Sequence, residues 1–326
     1  MHRPASAPAL LALAITIVLW GSAFAAIRAA LRGLTPEALS LIRLTTASTA
    51  LALVALWHRP RLPARRDWPR VLALAVTGMT LYQLLLNNGE VRVAAGPASI
   101  LVNMSPIFTA LVATAVFGER LSAGGWIGIA ISFAGASLIG LAAGSGISFH
   151  IGALIVLAAA VVQAAFFLLQ KPLLARYTSF DVTCWAMWLG TALLLPLSVP
   201  AVIDAHMTAR PLAAALYLGV GPSALGFVTW ASAVGRIDVS FAASTLYLTP
   251  LFAFVPAWLL LGERPTPVAV AGGVVVIGGV TVVVASRRRM GLVTGAASTV
   301  GTPATGCIAC SRATIPQPSG VRRRRA

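Results

Sequence analysis

Charge is scarce in this chain. Of its 326 residues only 10% are Asp, Glu, Lys or Arg, while 58% are hydrophobic; a soluble domain carries roughly 25% charged residues. A water-soluble fold would leave much of that apolar surface exposed, whereas a bilayer accepts it facing lipid. Acidic groups are scarcer still. The eight are Glu37, Asp67, Glu90, Glu119, Asp181, Asp204, Asp238 and Glu263, and all fall at the ends of apolar stretches or between them, as do His2, His58, His150 and His206. No centre of an apolar stretch holds a carboxylate or imidazole, so the usual intramembrane proton relay has no visible carrier. Glu37 and Glu90 read either as interfacial charges or as groups titrating in a vestibule. Cysteine is almost absent: Cys184 sits in an apolar stretch, and Cys307 and Cys310 form one CxxC near the end, too few ligands for a structural zinc and without the context of a redox motif. There is no Gly-x-Ser-x-Gly, phosphate loop, nucleophile–base–acid set or metal-ligand cluster. The expectation is therefore no catalytic residue, no metal, no cofactor and no enzyme activity.

The excess charge that exists is positive, +16 in total. Its arginines occupy short gaps and a terminal tail rather than one continuous face, which disfavours nucleic acid as a partner and suits topology-setting loops.

What is abundant is long apolar sequence. A spanning helix needs about 20 such residues, and ten candidates follow one another: 10–31, 36–57, 70–91, 95–117, 122–142, 150–171, 180–202, 211–232, 239–261 and 266–285. No gap between them houses a soluble domain. Arg3, Leu10 to Trp20 and Ala23-Phe24-Ala25 imitate a signal peptide, but the first span has an internal partner at 150–171 and belongs to the expected mature fold.

That partner is one term of a repeat with an offset of 144 residues and no gap. Asn103-Met104-Ser105-Pro106 lies over Tyr247-Leu248-Thr249-Pro250, Phe117-Gly118-Glu119-Arg120 over Leu261-Gly262-Glu263-Arg264, Arg92 over Arg236, Arg32 over Arg176, Glu37 over Asp181, and Gly128 and Gly135 over Gly272 and Gly279. Five spans per unit force the second unit into the membrane upside down, the inverted-topology plan of many secondary transporters. The expected organisation is a cytoplasmic N-terminus (1–9), a first five-helix repeat (10–142), a second (150–285) and a disordered, basic cytoplasmic tail (286–326). With the N-terminus inside, thirteen Lys and Arg flank the inner ends and five the outer ends. Both termini are thus expected in the cytoplasm. Trp57 and Trp68 flank the most basic loop, as interfacial aromatics do. The tail ends in Arg322 to Arg325, which read either as lipid-touching or simply as solvated charge.

Candidate site residues are the polar and aromatic groups at membrane depth: Tyr82, Gln83 and Asn87 on span three, Asn103 on span four, Gln163 on span six, Trp230 on span eight and Tyr247 on span nine. Each reads as a cavity-lining group or as a helix–helix hydrogen bond. Arg43, the one charge well inside a span, is expected to face the bundle interior or water and reads as an anion receptor or a helix-pairing arginine. Pro106 and Pro250, mates at the centres of spans four and nine, each lack an N–H and free a carbonyl, as a hinge or a simple kink. The glycines of spans five and ten offer close intramolecular packing or a homodimer interface.

Together these residues resemble the EamA family of the drug/metabolite transporter superfamily. Trp20-Gly21-Ser22-Ala23-Phe24 is similar to its first-helix WGxxF signature, Pro36-Glu37 followed by Arg43 to its second-helix pattern, and the two Pro…Gly-Glu-Arg segments to its duplicated fourth-helix motif. Ala164-Ala165 occupy the positions matching Trp20-Gly21, so the first signature is not duplicated. The resemblance, over about residues 8 to 286, implies a ten-helix inner-membrane carrier that exports, or sometimes imports, amino acids, related metabolites or toxic compounds. The expected fold is all-α integral membrane, two inverted five-helix repeats; the expected function is secondary transport, as an exporter, of a small-molecule substrate by alternating access. Trp20, Tyr82 and Trp230 would supply aromatic walls, Gln83, Asn87, Asn103, Gln163 and Tyr247 would orient the substrate, and Arg43 would receive a carboxylate. Multidrug efflux and a non-transport signalling or scaffold role are the alternatives.

Overall fold

The structure is a computed structural model that describes residues 7–117, 123–142, 151–205, 208–237 and, with short interruptions, 242–286. Every regular element among them is helical. In chain order these are α1 (Ala7–Ala30), α2 (Pro36–Ala55), α3 (Arg65–Glu90), α4 (Ala95–Val102), α5 (Ser105–Phe117), α6 (Ala123–Ala142), α7 (Ile151–Leu174), α8 (Ser179–Ile203), α9 (Ala209–Val234), α10 (Thr249–Leu261) and α11 (Val270–Gly279). Six of them, α1, α2, α3, α7, α8 and α9, are long and apolar enough to cross a membrane. Gly118-Glu119-Arg120, Glu263-Arg264, and the tail with Cys307 and Cys310 lie outside the described residues.

The 144-residue repeat holds in the backbone. Helix α1 ends at Ala30 and α7 at Leu174; α5 is Ser105–Phe117 and α10 is Thr249–Leu261. Even an irregularity is duplicated: α3 contains a π-turn at Ala75–Leu81 and α9 one at Gly219–Leu225. A widened turn inside an α-helix costs regular hydrogen bonding and tends to mark function.

Repeat mates meet head to tail. In α2 and α8, Ser48 Oγ lies 2.7 Å from Thr191 Oγ1 and Trp188 Nε1 donates to the Ser48 carbonyl at 3.1 Å, while nearer the ends of these helices the Arg61 N–H donates to Asp181 Oδ1 at 2.9 Å. As residue numbers rise along one helix they fall along the other. The same holds for α6 and α11. A Cβ on Gly135 would come within 2.7 Å of the Gly272 carbonyl, and one on Gly279 within 2.6 Å of the Gly128 carbonyl. Ser132 Oγ donates to the carbonyl of its own mate, Val276, at 3.3 Å. The glycines of α6 and α11 thus serve an intramolecular crossing in which backbones touch. Antiparallel mates are the geometry of two units inserted in opposite senses.

Spans four and nine are each interrupted. Between α4 and α5 the chain turns at Asn103-Met104, with the Met104 N–H donating to the Leu101 carbonyl at 3.1 Å. Before α10 the mate segment Leu246–Leu248 is a 3-10 turn. Pro106 and Pro250 therefore do not bend a continuous helix. Each stands in the first turn of a new one, where an N–H has no intrahelical acceptor.

At the end of the molecule that carries the Arg59–Arg70 loop, the halves are tied by polar contacts. Asp67, 1% exposed, accepts from Arg176 Nη1 at 2.7 Å and from the Tyr177 hydroxyl at 2.8 Å. That hydroxyl in turn accepts the Ala64 N–H at 2.8 Å. Thr178 and Asp181 form a reciprocal cap on α8, and Trp185 Nε1 donates to the Arg61 carbonyl at 2.9 Å. Replacing Asp67 with Ala strands two donors; because Arg176 is partly exposed, the expected loss is about 1–3 kcal/mol. It is read as a lower melting temperature of the purified protein, and an unchanged transition would remove this cluster from the account of stability.

Candidate functional site

The helices that interrupt themselves converge on α1. Gly21 makes this possible: a Cβ there would lie 2.9 Å from the Thr249 carbonyl and would overlap Phe252, so only glycine admits the start of α10 so close to α1. On the preceding position, Trp20 donates its indole N–H to the Pro222 carbonyl at 3.1 Å, a group in the π-turn of α9. Trp20 also packs within a set of rings, 5.3 Å from Phe227 and 5.4 Å from Trp230 between centroids. Trp20 and Gly21 thus fasten the first helix to the second half of the chain.

Beside this junction lies a cavity of about 30 Å³ lined by both halves. Five of the candidate site residues line it: Trp20, Arg43, Tyr82, Asn103 and Gln163. Phe24, Phe227, Leu246 and Thr249 line it too. Gln83 and Asn87 are fully buried outside the lining, on α3. Asn87 Nδ2 donates to Ser40 Oγ at 2.7 Å and so joins α3 to α2; the Gln83 amide has no partner among the described residues. Trp230 is wholly buried behind the wall, 4.5 Å from Phe167. Tyr247 belongs to the 3-10 turn before α10, and its side chain lies outside the described residues.

Arg43 is 3% exposed and faces the interior, which sets aside a snorkelling arginine. Its Nε donates to Ser223 Oγ on the π-turn of α9 at 2.6 Å. The same turn rests on α2 through Gly219, where a Cβ would sit 2.8 Å from the Arg43 carbonyl. With Nε fixed, Arg43 Nη1 has no hydrogen-bond partner among the described residues. Across the cavity Asn103 spends its Nδ2 on the Ser99 carbonyl at 2.7 Å, which leaves the amide oxygen available. Gln163 faces the Tyr82 hydroxyl. Glu90 is fully buried within the protein, not an exposed interfacial charge.

Sequence reasoning passed over Thr249 and Phe227. Thr249 reads as part of a motif around a proline rather than as a polar group at depth, although its place beside Pro250 at a helix start was available as a signal. Phe227 carries no such signal, since aromatic residues in apolar helices are ordinarily core.

Arrangements of this kind, with irregular backbone at depth surrounding a small polar cavity between opposed repeats, belong to multi-pass membrane carriers. The comparisons agree. The profile of the EamA-like transporter family matches residues 7–141 and again 150–285; the chain belongs to this family and is a transporter by descent. Over 282 residues it is 46% identical to a Streptantibioticus cattleyicolor protein named "Probable terminal-alkyne amino-acid exporter", spanning 86% of this chain and 94% of that one. It is 25% identical over 288 residues to an Escherichia coli protein named "Probable amino-acid metabolite efflux pump", spanning 84% and 94%. A solved crystal structure at 20% identity superposes with a TM-score of 0.65 over 87% of this chain and 98% of the other, a likeness of fold.

Gly21→Val inserts a branched side chain where α10 passes α1. The expected result is overpacking of about 1–3 kcal/mol, with loss of transport greater than the loss of folded protein. Wild-type flux per folded molecule would show that this close approach is not needed by the site.

Proposed function

We propose that this protein is an inner-membrane secondary transporter that exports small amino-acid-like metabolites by alternating access, with ten spans and both termini in the cytoplasm. The observation that carries the reading is the cavity itself. It lies between opposed repeats and holds Arg43, Asn103, Gln163 and Thr249 against the rings of Trp20, Phe24 and Phe227. At about 30 Å³ it accommodates one or two waters, far less than the several hundred Å³ of a ligand pocket. An amino acid enters only if the halves separate. Alternating access supplies that separation: the helices interrupted at Asn103-Met104 and Leu246–Leu248 move as segments about those breaks, with Pro106 and Pro250 holding the first turns of α5 and α10 just beyond the hinges.

The polar groups give orientation and the rings take an apolar side chain, which suits an amino acid with a small unbranched chain. The relative named for terminal-alkyne amino acids supports the same class. Tyr247, Gln83, Asn87 and Trp230 act around this centre, as supports of the lining or as contacts in the widened state.

The test is the extracellular metabolite profile of cells overexpressing the protein, with and without added L-propargylglycine, against an Asn103→Leu, Gln163→Leu variant at equal membrane abundance. One amino-acid class enriched outside only with the intact protein is the expected outcome, with efflux reduced about tenfold or more in the variant. Equal efflux from both would sink the assignment of these residues. Enrichment of unrelated cations or apolar drugs instead would point to toxic-compound efflux.

A further inference from the structure

The start of α10 has no side-chain cap, although Thr249 and Pro250 in its first turn are buried. Its N-cap position is Leu248, which offers no side-chain oxygen, and the next residues are Thr249 and Pro250. Thr249 is 4% exposed, lines the cavity, and its hydroxyl has no partner among the described residues. Nothing in α10 accounts for a hydroxyl held there without a bond; a buried donor left unmade is normally selected against. Arg43 lines the same cavity from α2, more than nine-tenths buried, with Nη1 likewise unpartnered. Three features of one sign therefore converge: a guanidinium whose orientation is fixed by Ser223, an unused hydroxyl donor, and the positive end of a 13-residue helix.

We infer that Arg43, the Thr249 hydroxyl and the first turn of α10 form a subsite for the carboxylate of the transported molecule. The carried class is then small molecules with a free carboxylate, to the exclusion of their esters and amides. This rests on the transport reading above and specifies its substrate. The chemistry follows from the groups. A planar carboxylate takes charge-assisted bonds from an arginine side chain and a hydroxyl at once, and a helix N-terminus favours negative charge. Glu90 bears electrostatically on Arg43 from α3. Its charge has the sign of the substrate carboxylate, so the direct bonds from Arg43 and Thr249 have to outweigh that repulsion. Gly21 belongs to the same device, because it admits the Thr249 backbone to the cavity wall.

The experiment measures binding to the purified full chain in lipid nanodiscs, by titration calorimetry and thermal shift. The probes are L-propargylglycine and L-alanine, each beside its methyl ester. The variants are Thr249→Val, which keeps shape and deletes the hydroxyl, and Arg43→Gln. Expected are binding and thermal stabilisation by the acids, at least about tenfold weaker binding of the esters, about three- to tenfold weaker acid binding in Thr249→Val, and loss of binding in Arg43→Gln. Thr249→Val without ligand keeps or gains stability, since it removes an unpaired buried hydroxyl; a purely structural threonine would lose stability instead. Esters that bind as well as the acids, acids that bind Thr249→Val as tightly as the wild type, or no stabilisation by either acid would each overturn the subsite. If cells still export an amino-acid class under those outcomes, the transport reading stands and the carboxylate subsite alone falls. If export also fails, the transport reading falls with it.

Discussion

The structure depends on one constraint: two copies of one helical unit bring equivalent helices together antiparallel. Where α6 and α11 cross, glycines of both helices stand at the contact, and only small residues let two backbones share that space. Gly135 against the Gly272 carbonyl and Gly279 against the Gly128 carbonyl are two readings of one contact, and Ser132 bonding to the carbonyl of its own mate marks how close the two helices run. The α2–α8 pair meets through hydroxyls and indoles instead.

Within that frame the irregularities have a consistent use. The π-turns recur at the same offset as the repeat. The turn in α9 supplies the Pro222 carbonyl to Trp20 and the Ser223 hydroxyl to Arg43. Two residues of the first half are thereby oriented by a widened turn of the second. Neither contact has a counterpart in the other direction. Position 164 is Ala where the first half has Trp20, and the turn of α3 packs Gly78 against the Phe166 ring instead. Duplication provided the scaffold, and divergence of a few side chains made the cavity one-sided in its chemistry.

This division explains what could be read in advance. Apolar length and the 144-residue offset are properties of the chain taken as a whole, and they suffice for membrane insertion and duplication. Arg43 was legible because a charge at that depth has to face inward. Asn103 and Gln163 were legible because polarity at depth is costly. Polarity alone did not separate the cavity wall from the layer behind it. Asn87 answers its own demand through Ser40, and Trp230 is enclosed by rings. Thr249 escaped notice because threonine is common in membrane helices; what distinguishes it is a hydroxyl without a bond, a fact of three-dimensional packing. The breaks at Asn103-Met104 and Leu246–Leu248 were anticipated from proline but fall just before it, since proline is better placed at the start of a helix than inside one.

The same logic reaches the two ends of the molecule. At one end Tyr177 and Ala64 meet across the halves, with the Tyr177 hydroxyl also on Asp67. At the other, the equivalent positions are Gly33, Thr208 and Pro211, and they meet as well: a Cβ on Gly33 would lie 2.8 Å from the Pro211 ring and 3.5 Å from the Thr208 hydroxyl. The backbone contact is duplicated while its chemistry is not. One end holds a buried carboxylate with an arginine and a phenol, directional and sensitive to each partner; the other brings a glycine against a proline ring and a threonine hydroxyl. The two ends are therefore chemically unequal, because the groups that meet there differ. In a duplicated carrier this inequality cannot come from the architecture, which treats both ends alike. It has to reside in positions such as 33 and 177, or 67 and 211, where the copies no longer match.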